Sequence, residues 1–503
     1  MQSGFKLSIK AKNYLHGGSK VSEVSKIAAY RSNYSQQLSP QLTWFSTSQL
    51  EEIHSATVDV LERTGVRVDH EESLKLLKDA GCLVNNRVVK IPGWLIEEAI
   101  RLAPSKINIY NRESSQAMSL EGNCTYYGTG SDLPFHIDLQ SGKRRNSVKQ
   151  DIVNTAKLID HLPNLDFAMS NAIPGDVPAG KGDLHQFAAL VLNCAKPIIF
   201  TSFDEHNIRV IIEMAAMAAG SVEKLRSYPF IILYAEPISP LIHTHEGLSK
   251  MFACIEYDLP VVYTPGVVAG GTCPVTKAGT IVQMNAESIS GLVIAQLKKK
   301  GAPVIVGGGA TPMEMKTTAT LYGSPDAAMN YCAMTELARF YRLPNFTEAG
   351  CSNAPLPDAQ AGMEASIGLL LNQLCGANLV HDVGYLDGGK TGSLPFLVMC
   401  DDFISAVRYI GAGTKVNQDT IGIETINEAG QGGHYLATEH TMKHFRSEIW
   451  SPTVFNRMMW ETWKTLGGKN CFDLAREKAE ALLGREPARS LDQKIAEKIN
   501  SYL

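Results

Sequence analysis

Phe230-Ile-Ile-Leu-Tyr-Ala-Glu-Pro237 is followed by an amphipathic stretch over 244–257 and then by Pro260-Val-Val-Tyr-Thr-Pro-Gly266. The apolar runs are too short for helices and are punctuated by proline, so each reads as a buried strand. The segment between them carries apolar residues at helical spacing. Strand, helix, strand is the unit of a parallel sheet.

The unit repeats in both directions. Short apolar runs begin at 165, 197, 230, 260, 303, 345 and 378, from 30 to 43 residues apart. Amphipathic stretches over 207–219, 244–257, 275–300, 324–341 and 357–375 fill the gaps. A further strand or hairpin is expected in Cys124-Thr-Tyr-Tyr-Gly-Thr-Gly-Ser-Asp-Leu-Pro-Phe-His-Ile-Asp-Leu139, making eight strands in all. Eight is the count of a TIM (β/α)8 barrel. An open doubly wound sheet is the runner-up, but the Gly-x-Gly-x-x-Gly turn it favours after its first strand is absent.

The expected organisation is an arm over 1–40, a helical region over 41–120, the barrel over 121–415 and C-terminal helices over 416–503. Ser48-Gln-Leu-Glu51 has capping-box spacing, and helices are expected to run from there to Gly65 and over 71–80 and 93–102.

The chain has 503 residues, with 47 Lys plus Arg against 51 Asp plus Glu. That near-neutral balance argues against a nucleic-acid protein, and 44% hydrophobic content argues against disorder. No apolar run reaches the length of a membrane span. The ten cysteines form no C-x-x-C pair, so free thiols in a cytoplasmic protein are expected.

Gly, Pro, acidic residues and aromatics gather just after the runs, on the loops that form the functional face of a barrel. His243-Thr-His245 with Glu236, His381 and Asp382 could be a metal set, but a pair at a helix start diverges by about 200°. No resident metal is expected. Gly307-Gly308-Gly309 lacks the basic residue of a phosphate cradle and suits a turn or close packing against a cofactor. No Gly-x-Ser-x-Gly elbow occurs, and Cys351 reads as a passive thiol. The strand-end aromatics include Tyr126, Tyr127, Phe135, Phe200, Phe203, Tyr234, Tyr263, Phe346 and Tyr385. Joined by Glu236, Glu348 or Asp382, a subset of them suits an organic cation. A quaternary ammonium has no N–H, so ring faces and diffuse negative charge must hold it.

Several segments resemble the trimethylamine methyltransferase (MttB) superfamily. They are Asp160-His-Leu-Pro-Asn-Leu-Asp-Phe167, Gly266-Val-Val-Ala-Gly-Gly-Thr-Cys-Pro-Val-Thr276, Asn285-Ala-Glu-Ser-Ile-Ser-Gly291, Gly323-Ser-Pro-Asp326, Leu356-Pro-Asp-Ala-Gln-Ala-Gly-Met-Glu364, Gly376-Ala-Asn-Leu-Val380 and Gly432-Gly-His-Tyr-Leu436 with His440-Thr441. The resemblance spans roughly residues 45 to 490. It implies a TIM barrel that passes a methyl group from an amine to the cob(I)alamin of a separate corrinoid protein, with no cofactor tightly bound.

Members acting on trimethylamine carry pyrrolysine before the Asp-Ala-Gln-Ala-Gly motif. Here Pro355 stands near that position, so the chain looks like the non-pyrrolysine branch, some of whose members demethylate glycine betaine, proline betaine or carnitine. Thr438 departs from the histidine of many relatives. On this reading no catalytic acid or base is obligatory. Tyr234, Glu236, Tyr263, Phe346, Glu348, His381 and Tyr385 are expected to hold the substrate. The loops at Gly307, Gly308, Gly309, Gly432, Gly433 and His434 are expected to meet the corrinoid, and a homo-oligomer is expected. The alternatives are a barrel metallohydrolase and a non-catalytic betaine-binding protein.

Overall fold

The computed structural model describes residues 40–503, so the arm expected over 1–40 lies outside the described residues save for its last position. Seven strands pair in parallel in the order Tyr126–Tyr127, Leu379–His381, Asn345–Glu348, Val304–Gly307, Val261–Tyr263, Ile231–Ala235 and Ile198–Phe200. Residues 167 and 168 close the ring, for Phe167 bridges Gly128 on one side and Ala168 bridges Ile198 on the other. The strand order is circular, which makes the fold a TIM barrel and excludes the open sheet.

Strand side chains alternate between two environments. Tyr126, Phe167, Ile199, Ile232, Val262, Ile305, Phe346 and Leu379 point inward and form one apolar cluster. Their sequence neighbours, such as Tyr127, Ala168, Leu233 and Tyr263, join a second cluster beneath the surrounding helices. A hairpin of Ile107–Tyr110 and Gln116–Leu120 adds Ile107, Ile109, Met118 and Leu120 to the inner cluster. Tyr110 N donates to Pro229 O, just before a barrel strand, so the hairpin plugs the N-terminal end.

Two expectations need correction. The 41–120 region is mixed rather than helical. Helices Thr47–Asp59, Glu71–Asp79 and Gly93–Leu102 alternate with strands Val66–Val68, Leu83–Asn85 and Val88–Lys90, and Ile242–His243 completes their four-stranded sheet. The Val-rich pieces between the helices are three residues long, too short for helices and suited to a sheet. The first helix is capped by Ser46, whose Oγ accepts from Gln49 N at 3.3 Å, and not by Ser48. Second, of the strand or hairpin expected over 124–139, the barrel strand forms and the hairpin does not. Tyr126–Tyr127 enters the barrel, whereas Phe135–Ile137 joins a separate sheet with Arg144–Asn146, Tyr385–Leu386 and Thr391–Gly392.

After helix Leu394–Gly411 the chain is helical, and Asp402 fastens it by accepting from Thr453 and Val454 N at 2.8 Å. Val416, Leu436, Met459 and Trp460 in this region are exposed. No helix of the described residues is long and apolar enough to cross a membrane.

Ile109 is fully buried in the plug. Ile109→Ala should cost about 2–5 kcal/mol of stability in denaturant titrations. It should leave substrate affinity unchanged, because the candidate site opens at the other end of the barrel.

Candidate functional site

The C-terminal ends of the barrel strands surround a cavity of about 670 Å³. Its lining comes from the segments after four successive strands: Ser131 and Asp132, Ile173 and Pro174, Thr201 to Phe203, and Tyr234 to Ile238. Tyr234 and Glu236 join there, with the tyrosine hydroxyl donating to the carboxylate. Glu236 touches the open cavity yet is ringed by protein. Those surroundings raise its carboxyl, while the Tyr234 hydroxyl and then the Lys250 ammonium oppose the rise.

The Tyr234 ring crosses the barrel interior. It lies 5.1 Å from the ring of Phe346 and 5.8 Å from that of His381, and these two stack at 4.0 Å. Phe346 and Glu348 share the inward face of one strand, as do Leu379 and His381 of the next. Ligand atoms of Glu348, His381 and Asp382 all fall within 4.8 Å of one another, a composition that could hold a metal ion. Glu348 has replaced the His243–His245 pair of the metal set read from the sequence. His243 is instead buried between Tyr263 Oη at 2.9 Å and Ser290 Oγ at 2.8 Å, and His245 begins helix His245–Glu256.

His381 Nδ1 lies 2.8 Å from Thr347 O, where it must donate. In the neutral ring Nε2 is therefore the lone-pair nitrogen, and it faces Asp382 Oδ1 at 3.4 Å. Burial pushes the imidazole down to about 4, so neutral is its state at ordinary pH. Glu348 accepts from Tyr331 Oη at 2.6 Å, but burial outweighs that bond and, with Glu236 nearby, lifts its carboxyl to about 7. Burial, then Glu348 and Glu236, hold the carboxyl of Asp382 well above its usual range. Among the described residues no Lys or Arg nitrogen comes within 4.0 Å of any of these three carboxylates. Three acids share one region with no direct Lys or Arg partner among the described residues, and the Lys250 ammonium acts on Glu236 only from beyond that distance.

Two glycines make this crowding sterically feasible. A Cβ at Gly309 would overlap Glu348 Oε1, and one at Gly130 would overlap Asp382 Oδ1 and Tyr385 Oη. Residues 307–309 are buried between Phe346, Met284 and Glu348, so they offer no open surface to a large cofactor. The spacing read as room for an approaching group is filled by the protein itself. Gly432, Gly433 and His434 are exposed on the C-terminal segment. Nearby, Thr438 caps helix Glu439–Glu448, its hydroxyl accepting from Thr441 N.

Of the seven substrate residues expected from the sequence, Tyr234, Glu236, Phe346, Glu348 and His381 come together. Tyr385 stands beside them, its hydroxyl donating to Ser131 O, and its phenol is raised by burial and then by Asp382. Tyr263 does not join. It occupies the outward face of its strand, where its ring fills space left by Gly291 of helix Lys277–Lys298. Pro355 is exposed and does not line the cavity. Sequence reading missed Tyr322 and Tyr331, which approach Glu348 from a loop and from helix Pro325–Phe340, and it missed Lys250 on the cavity wall. Cys351 is buried with its thiol held well above the usual range, and all ten cysteines are free.

The fold and site define a barrel whose mouth brings aromatic rings together with three carboxyl groups. The family model described as "Trimethylamine methyltransferase (MTTB)" matches residues 17–503, and the chain belongs to that methyltransferase family. Trimethylamine methyltransferase MttB of Methanosarcina thermophila is 32% identical over 90% of this chain and 95% of its own length. That of Desulfitobacterium hafniense (strain DSM 10664 / DCB-2) is 30% identical over 92% and 93%. Glycine betaine methyltransferase of Desulfitobacterium hafniense (strain Y51) is 27% identical over 93% and 98%. Among solved structures, the monomethylamine methyltransferase of Methanosarcina barkeri is 11% identical, covering 88% of this chain and 89% of its own, at a TM-score of 0.49.

Glu348 titrates near its ordinary 4.5 when unfolded and at about 7 when folded. Between those values the folded state keeps a proton that the unfolded state has lost, so stability falls as pH rises through the window. A shift of that size corresponds to about 3 kcal/mol. Glu348→Gln should remove this component from denaturant titrations run across the window. A variant with the wild-type pH slope would contradict the burial of this carboxyl.

Proposed function

We propose that the protein demethylates a quaternary amine, with glycine betaine the first candidate and proline betaine and carnitine next. The methyl acceptor in this reading is cob(I)alamin carried by a separate corrinoid protein. The observation that carries it is the acid group: Glu236, Glu348 and Asp382 beside the rings of Tyr234, Phe346 and His381, with no Lys or Arg nitrogen within 4.0 Å among the described residues. Glu236 and Glu348 each accept one tyrosine hydroxyl, but a hydrogen bond does not offset crowded carboxylates as a charge does, and a cationic substrate relieves that cost.

The chemistry needs little more. The C–N bond breaks, its electron pair stays on nitrogen, and a quaternary ammonium departs as a neutral tertiary amine. The partner's cob(I)alamin would supply the electron pair for the new bond to the methyl carbon. No proton must be delivered, so no residue need act as general acid or base. The chain's own contribution is to align one methyl group and exclude water. Ile173, Phe203 and Ile238 line the cavity and are 44%, 58% and 57% exposed, an apolar rim on which a partner bringing the acceptor can sit. The exposed Leu436, Met459 and Trp460 support self-association through the C-terminal helices. Free thiols accord with a cytoplasmic protein.

A second reading is favoured by the identities, which are higher to trimethylamine enzymes than to the betaine enzyme. Protonated trimethylamine is also a cation, and its N–H could be accepted by Glu348 or His381 Nε2. Matched assays with glycine betaine, proline betaine, carnitine, trimethylamine and dimethylglycine, following cobalt oxidation spectrally, separate the two. Turnover of at least one quaternary amine should exceed that of trimethylamine. The reverse order would overturn the quaternary assignment.

The separate trio of Glu348, His381 and Asp382 is the feature that a metal-based hydrolase would use. We propose that it serves the organic cation, because Glu348 is already bonded to Tyr331 and the neighbouring faces are rings. Elemental analysis of the purified protein should find less than stoichiometric metal. A stoichiometric ion lost in Asp382→Asn would contradict this.

A further inference from the structure

The cavity is not uniformly acidic. Lys250, on helix His245–Glu256, forms part of its wall together with Glu236 and Asp132. Its ammonium has three protons to donate. One goes to Ser202 O at 2.9 Å, and among the described residues no carboxylate oxygen lies within 4.0 Å of it. The nearby acids are otherwise engaged. Asp183 accepts from Ser202 Oγ, Phe203 N and Asn207, and Asp132 accepts from Gln186 and Thr201. Burial accordingly lowers the ammonium's titration, although Glu236 and Asp183 oppose that effect.

One cavity therefore presents opposite charges at separate places. Tyr234 and Glu236 offer a ring face and a carboxylate. Lys250 offers a half-desolvated ammonium with two uncommitted protons. A simple alkylammonium would use the first feature and be repelled by the second. A molecule carrying both charges would use both.

We propose that Lys250 binds the carboxylate of a zwitterionic substrate whose ammonium end sits against Tyr234 and Glu236. This rests on the cation reading above and narrows it to carboxylate-bearing amines. Recognition of the anion is set by a residue on a helix rather than by the glycine loops or the histidines. Lys250 takes no part in breaking the C–N bond, so its effect belongs in KM and Kd before kcat.

Calorimetric titration with glycine betaine, carnitine and tetramethylammonium tests the proposal on wild type, Lys250→Met, Lys250→Arg and Glu236→Gln. Methionine keeps the length and apolar stem without the charge. Lys250→Met should weaken the better-bound zwitterion by about 10- to 100-fold, the range of a charged hydrogen bond. It should leave tetramethylammonium binding unchanged or tighter, because a repelling charge has gone. Lys250→Arg should restore part of the zwitterion affinity. Glu236→Gln should weaken all three ligands.

Equal losses for zwitterion and tetramethylammonium in Lys250→Met would assign the lysine to holding the Ser202 loop and overturn the proposal. So would unchanged zwitterion binding in that variant. Wild-type protein that binds tetramethylammonium as tightly as either zwitterion would overturn it while leaving the cation site standing. Wild-type protein that binds none of the three would overturn the cation reading itself.

Discussion

Negative charge confined to a low-dielectric barrel end is the constraint on which this structure turns. Two charges a few ångströms apart repel far more strongly inside protein than in water. Glu348 and Asp382 are 7% and 5% exposed, and Glu236 is close enough to raise them both. Protons kept on the carboxyl groups relax this repulsion. Tyr331 donates to Glu348, but one hydrogen bond does not compensate a buried carboxylate fully. A cation entering the mouth would do so more completely, and the surrounding rings suit one that cannot donate hydrogen bonds.

The rest of the molecule holds this arrangement in place. The hairpin over 107–120 seals the opposite end of the barrel, leaving one entrance. Gly130 and Gly309 are needed for clearance, since neither takes a left-handed backbone and any side chain there would meet an acid oxygen. Inward residues alternate with outward ones, so Phe346 and Glu348 share a strand without interruption of the core. Helix Lys277–Lys298 supports the assembly from outside. Its Ser288 Oγ accepts from Gly307 N, its Gly291 admits Tyr263, and its Glu287 accepts from Ser239 and Leu241.

The barrel was legible because burial makes its strands short, apolar and regularly spaced. The segment 165–169 shows the limit of that signal, since it contributes only two bridging residues and still closes the ring. The 41–120 region was less legible because three-residue strands leave too little period to read. In the site, acids and rings at inward strand positions could be found from their place after each run. Tyr263 could not be told from Tyr234, because the two differ only in strand parity. Tyr331 and Lys250 lie on helices, where sequence offers no sign that they face the mouth. The segments that carried the family resemblance proved mostly architectural. Ser324 and Asp358 cap helices, Gly376 ends one at φ +78°, and Asn285 bonds Thr57 and Tyr341. They mark the scaffold, and the side chains proposed to hold the substrate stand elsewhere.

On the proposed reading, a positively charged amine displaces protons held by these acids. Calorimetry of glycine betaine binding near neutral pH, repeated in buffers of different ionisation enthalpy, measures that displacement directly. Glu348 titrates at about 7 without ligand, and a neighbouring cation must draw it lower. The account predicts net release of a fraction of a proton per molecule bound, reduced in Glu348→Gln. Binding with no proton release, or with uptake, would contradict it.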